Sequence, residues 1–99
     1  MTYRLTRKAE EDFVNIYVQG AHSFGIDQAE SYHHELVRTF EILADNPFMA
    51  RERLELSPAG IRVHPHGSHF IIYRIEENRR ILIIRIRHAR EDWINDPRG

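Results

Sequence analysis

The spacing of apolar residues changes near Gly60, and that change divides the chain into a helix-forming half and a strand-forming half. Tyr3 and Leu5 alternate with polar neighbours, which predicts a short strand ending at Thr6, a residue suited to cap a helix. Glu10, Glu11 and Asp12 follow in the early helical turns, where carboxylates meet the positive end of the helix dipole. Ala9, Phe13, Ile16, Tyr17 and Gly20 then recur at spacings of three and four and form one apolar face. In Phe24-Gly25-Ile26-Asp27, Gly25 suits the end of this helix and Asp27 the N-cap of a second. Ala29, Tyr32, Leu36, Phe40 and Leu43 make the second stripe. So short a break returns the second helix antiparallel as an αα-hairpin, which Asn46-Pro47 closes.

The segment FMARERLELSPAG, 48–60, is polar and arginine-bearing and ends at Pro58 and Gly60. It is expected to wrap over the domain as a loop with room for a helical turn. Beyond it the period is two. A strand is predicted near Ile61 to His64, then a loop PHGS, a strand from His69 to Glu76, a turn at Glu77-Asn78-Arg79, and a strand from Arg80 to His88. These three form an antiparallel meander. In ILIIRI both parities are apolar, with Ile81 and Ile83 on one face and Leu82, Ile84 and Ile86 on the other, as in a central strand covered on both sides. The last strand is therefore placed inside the sheet with the first beside it. The fold class is α+β, ordered β-α-α-β-β-β, with the N-terminal helical hairpin on one face of a small antiparallel sheet. The other face is also apolar but has no helix to cover it. Either a partner fills that groove or the sheet curves and its own side chains do.

Ninety-nine residues with 41% hydrophobic content, five glycines and four prolines describe one compact domain, 1–99. The absence of cysteine removes disulfides and thiolate chemistry and fits a reducing, cytoplasmic setting. Charges at positions 4, 7, 8, 10, 11 and 12 exclude a signal-peptide core at the start, and no apolar run is long enough to span a bilayer. The formal charge of -1 hides an asymmetry. Residues 1–50 hold four Lys+Arg against eight Asp+Glu, and residues 51–99 hold ten against seven. The basic half can attract phosphate or an acidic protein segment. Lys8 is the single lysine, and arginine's planar fork favours bidentate pairing with either group.

No GxSxG, P-loop or GxGxxG is present, so nucleotide hydrolysis and redox chemistry find no support, and no cofactor is expected. His64, His66 and His69 crowd into HPHGSH without an HExxH or a cysteine pair, so ordinary strand-end and loop histidines are expected there and no metal. His33 and His34 point about 100° apart on a helix. The basic cluster has more to offer. Arg62, Arg85, Arg87, His88 and Arg90 could converge at one end of the sheet. There they could cleave RNA, with Arg62 and Arg85 stabilising the phosphate and His88 moving the proton. They could instead grip a partner's carboxylates, or pair with Glu55, Glu91 or Asp92 and fix the C-terminal segment. Trp93, the sole tryptophan, either seals the core or anchors a partner.

The frame Y-x-L-T at 3–6, Ala9 with Asp12 and Ile16, LADNP at 43–47, R-x-x-L-x-x-x-G-I-R within 51–62, IIYRI at 71–75 and IRIRHAREDW at 84–93 resembles the ParE toxins of the RelE/ParE superfamily of bacterial toxin-antitoxin systems. The likeness covers almost the whole chain, and its most distinctive part is H-A-R-x-D-W at the end. It implies a helical hairpin on an antiparallel sheet and a ParD-like antitoxin that lays an amphipathic helix and an extended tail along the toxin. ParE-like toxins poison DNA gyrase and stop replication, whereas RelE-like relatives cut messenger RNA on the ribosome. Ribosome-dependent members use basic residues on the second helix and sheet plus a C-terminal tyrosine. This second helix has only Arg38, and the tail carries Trp93. The resemblance thus implies a gyrase-directed toxin without catalytic residues of its own and without sequence-specific nucleic-acid binding. Its binding residues would be Arg62, Arg85, Arg87, His88, Arg90 and Trp93.

Overall fold

The structure, a computed structural model, describes residues 2–56 and 59–99. The elements are β1 (Tyr3–Leu5), α1 (Arg7–Phe24), α2 (Ile26–Asp45), β2 (Arg62–His66), β3 (His69–Ile75) and β4 (Ile81–His88). The expected order and class hold, and Pro58 lies outside the described residues. Thr6 caps α1 by accepting from the Ala9 N–H at 3.1 Å. The same hydroxyl donates to the Ile84 carbonyl at 2.6 Å, so the cap also ties the helix start to β4. At the other end Gly25, with φ at 96°, turns the chain in one residue. The second helix therefore begins at Ile26 with Gly25 as its N-cap, and Asp27 falls in its first turn rather than capping it.

The strand order is β1-β4-β3-β2, which puts β4 inside the sheet. β2, β3 and β4 are antiparallel neighbours, but β1 joins β4 in parallel, Tyr3 opposite Ile81 and Leu5 opposite Ile83. The sheet is thus mixed. A three-strand meander gives β4 the direction of β2, and the hairpin and its long connection bring β2 back to start at the same end as β1. β2 also extends two residues beyond the expected His64. Pro65 is tolerated because an edge strand need not donate a ladder bond from every residue.

Between Ile72 and Tyr73 the β3–β4 register slips, so that Tyr73 pairs with Ile83 and Ile72 with Arg85. The extra residue, Ile84, is a bulge, and it reverses the alternation beyond it. Ile86 consequently packs with Ile81 and Ile83 against the helices, not with Leu82 and Ile84.

Leu36, Phe40 and Leu43 of α2 and Ala9 of α1 meet Ile71, Tyr73, Ile81 and Ile83 in the main core. Each of the leucine, isoleucine and phenylalanine side chains, fully buried, contributes about 1.5–3 kcal/mol of transfer free energy. Tyr73 brings a hydroxyl into this core, and it donates to the Pro47 carbonyl at 2.9 Å. On the opposite face Ile72, Leu82 and Ile84 are covered by Leu56 and Ile61 of the connection and by Trp93, whose ring lies 4.9 Å from that of Phe70. No open groove remains over these residues: the chain's own segments fill it. The turn between β3 and β4 contains Asn78 and Arg79 at φ 64° and 62°. Asparagine accepts this conformation readily; for arginine it costs on the order of 1 kcal/mol.

Candidate functional site

The basic cluster converges only in part: Arg85 and Arg87 both reach the C-terminal segment, and Arg85 lines one groove with His88 and Arg90, while Arg62 stands apart. Arg85 leaves β4 just past the point where β1 stops, and it meets Asp12 of α1 in a bidentate pair at 2.7 and 2.9 Å. The same carboxylate accepts the Ile86 N–H at 3.0 Å, supplying an acceptor that a neighbouring strand would otherwise provide. Asp12 was expected only to complement the helix dipole. Its role is to hold the free edge of β4. Arg87, 9% exposed, donates to Glu91 at 2.9 Å and to the Asp96 carbonyl at 3.0 Å. Arg85 also donates to the Arg98 carbonyl at 3.1 Å. Both arginines thus spend donors on fixing the C-terminal segment, with Asp12 and Glu91 as partners; Glu55 pairs with Arg53 instead, and Asp92 accepts from Asn95.

Arg62 lies elsewhere, donating to the Ala50 carbonyl at 2.6 Å with its guanidinium 5.1 Å from the Phe48 ring centroid. Trp93 is 5% exposed and seals the second sheet face.

His88 is half-buried and Arg90 is exposed. With Arg85 they line a groove of about 1210 Å³ between the helical hairpin and the end of the sheet, with Gly20, Tyr32, His69 and Ile86 among its other walls. One cross-strand row there carries three imidazoles, His66 opposite His69 and His69 opposite His88. The rings of His69 and His88 meet edge to face at 5.2 Å. Tyr32 reaches down from α2 to within 2.7 Å of His69 Nδ1 and 3.1 Å of the His66 carbonyl, and Thr39 lies 3.0 Å from His66 Nδ1. Burial, followed by the neighbouring His88 and His66, holds His69 below its ordinary pKa and favours its neutral form. Burial also pushes the Tyr32 hydroxyl up, so it stays protonated. His88 Nδ1 accepts the Arg90 N–H at 3.0 Å, so the neutral ring carries its proton on Nε2. Arg85 and Arg87 are already engaged beside these rings. The arrangement therefore suits binding by polar groups on a rigid floor better than stabilisation of a reacting phosphate.

The profile described as "ParE toxin of type II toxin-antitoxin system, parDE" matches residues 3–93. This chain belongs to the ParE toxin family. Toxin ParE1 of Caulobacter vibrioides is 37% identical over 86 residues, covering 87% of this chain and 86% of that protein. Toxin ParE1 of Mycobacterium tuberculosis is 33% identical over 90 residues, 91% of each. Among solved structures, that of the chromosomal ParDE toxin-antitoxin system from P. aeruginosa superposes with a TM-score of 0.74 at 23% identity, over 89% of this chain and 95% of the other. The RelBE2 toxin-antitoxin complex of M. tuberculosis gives 0.57 at 21%, over 88% and 95%. At these identities the two structures show a shared fold. The ParE resemblance of the sequence is thereby established, and the chain is a toxin of a type II toxin-antitoxin system. No helix among the described residues is long and apolar enough to cross a membrane.

By sequence, Tyr32 is a core-stripe residue and His69 a strand-end histidine. Their meeting depends on how far α2 overhangs the β2–β3 turn, and no local pattern records that. The structure shows why Gly67 stands in that turn: its φ is 55°, and a Cβ there would lie 2.7 Å from the Tyr32 hydroxyl.

Proposed function

We propose that this ParE-family toxin acts in the cytoplasm by inhibiting DNA gyrase and is neutralised by direct binding of a ParD-like antitoxin. The observation that carries the reading is the ParE profile match, which spans residues 3–93 and includes the H-A-R-x-D-W ending. The structural relatives, a ParDE system and a RelBE2 toxin-antitoxin complex, support an antitoxin partner. Of the six candidate binding residues, Arg62, His88 and Arg90 are the ones expected to meet a partner directly. Arg85, Arg87 and Trp93 support them by fixing the C-terminal segment, and Arg85 also lines the groove.

Messenger-RNA cleavage on the ribosome is the alternative, with Arg62, Arg85 and His88 as its residues. It is disfavoured because Arg85 is clamped by Asp12 and Arg62 lies beside Phe48, away from His88. Purified toxin is expected to inhibit gyrase supercoiling at micromolar concentration, and prior addition of antitoxin to prevent it. Gyrase that is unaffected at that concentration, together with codon-phased cuts in messenger RNA on induction, would reverse the choice.

A further inference from the structure

The β3–β4 turn holds an arginine where the backbone favours glycine. Asn78 and Arg79 both have left-handed φ, 64° and 62°, and glycine is the residue that best fills the second of two such positions. A side chain kept under that strain is expected to have a use. The guanidinium of Arg79 lies 5.4 Å from the centroid of Phe48, and that of Arg62 lies 5.1 Å from the same ring. Phe48 is nonetheless 59% exposed, and its neighbour Met49 is 53% exposed. Arg62 is held in place by its bond to the Ala50 carbonyl. Arg51 and Arg80 are exposed nearby in sequence, and among the described residues neither they nor Arg79 forms an ion pair. The patch is thus an aromatic anchor framed by guanidinium groups with donors to spare, the composition of an interface hot spot.

We propose that Phe48, Arg62 and Arg79 form a docking site for an acidic, amphipathic segment of the antitoxin, a proposal that rests on the antitoxin partner inferred above. An apolar side chain meets the ring edge and Met49, and carboxylates take the outer donors of the two arginines. Charge complementarity selects this occupant. A nucleobase would need the ring face for stacking, and guanidinium groups already lie over the ring.

Arg79→Gly separates this role from folding, because it removes the guanidinium and relieves the turn in one step. Its Tm is expected to equal or exceed that of the wild type, while its antitoxin dissociation constant, measured by calorimetry, rises about tenfold or more with a shallower salt dependence. Phe48→Ser, at an exposed position, is expected to weaken the complex likewise. If Arg79→Gly lowers Tm instead, the strain argument fails and Phe48→Ser alone decides the site. Two folded variants that bind antitoxin as tightly as wild type overturn the proposal. Wild-type toxin that ignores the antitoxin overturns both this site and the antitoxin reading. A short single-stranded DNA whose binding is lost in both variants, with antitoxin affinity unchanged, reassigns the patch to nucleic acid.

Discussion

Replacing Asp12 by alanine leaves three donors without their acceptor, two on Arg85 and the Ile86 N–H. The two side chains are 15% and 16% exposed, so solvent recovers little of the loss. Asp12→Ala is expected to destabilise the fold by about 2–3 kcal/mol, and Asp12→Asn by less, because its amide oxygen can still accept from Ile86. Urea denaturation of the two variants checks this order; an alanine variant as stable as wild type would show the pair to be ornamental. Trp93→Ala uncovers Phe70 and Ile84 and is expected to cost about 3 kcal/mol in the same assay. At this scale the sequence announced types better than tasks. Trp93 as a seal and Arg87 with Glu91 are both among the alternatives its residue types offer. Asp12 was disguised by position, since a carboxylate in the first turns of a helix has an ordinary explanation. Its actual partner lies on a strand seventy-three positions away.

Among the elements, helices and strands were legible to within a residue or two because burial imposes its period directly on the sequence. Ala29, Leu36, Phe40 and Leu43 are all buried, as their spacing required. Two features escaped for a common reason. The bulge at Ile84 and the parallel pairing of β1 depend on the partner strand, and a single strand's alternation does not encode its register. The apolar second face of the sheet was visible, but its cover was not, because Leu56 and Trp93 come from segments without regular period. The β2–β3 turn offers a test at this scale. Gly67→Ala combines a positive φ with a Cβ 2.7 Å from the Tyr32 hydroxyl, so it is expected to cost about 1–2 kcal/mol and to detach Tyr32 from His69. A fall in the unfolding midpoint, with altered His69 imidazole resonances in NMR, is the expected result. Unchanged His69 resonances would contradict the coupling.

For the whole molecule, the histidines make stability depend on pH. Burial is the main cause that holds His64 and His69 below their ordinary values, so the folded state binds protons less readily than the unfolded chain, where histidine titrates near 6.5. Their contribution is therefore complete above about pH 6.5 and is lost as the pH falls through the lower folded values. Asp12 and Glu91 act on His69 in the opposite sense, as weaker influences than burial and the two neighbouring histidines. The urea midpoint is expected to be lower at pH 5.5 than at pH 7.5, with the difference reduced in His69→Phe. A midpoint that rises on acidification would mean that the carboxylates dominate.

The position of β4 has a consequence for synthesis. The strand inside the sheet is the last of the four to be made, and it joins β1, the first, to β3. Until residues 81–88 have left the ribosome, neither core can close, since Ile81 and Ile83 belong to one and Leu82 and Ile84 to the other. Contacts this distant in sequence form late and together. Chains that stop short of β4 thus lack both cores, and the folded toxin domain cannot form before that strand has been made.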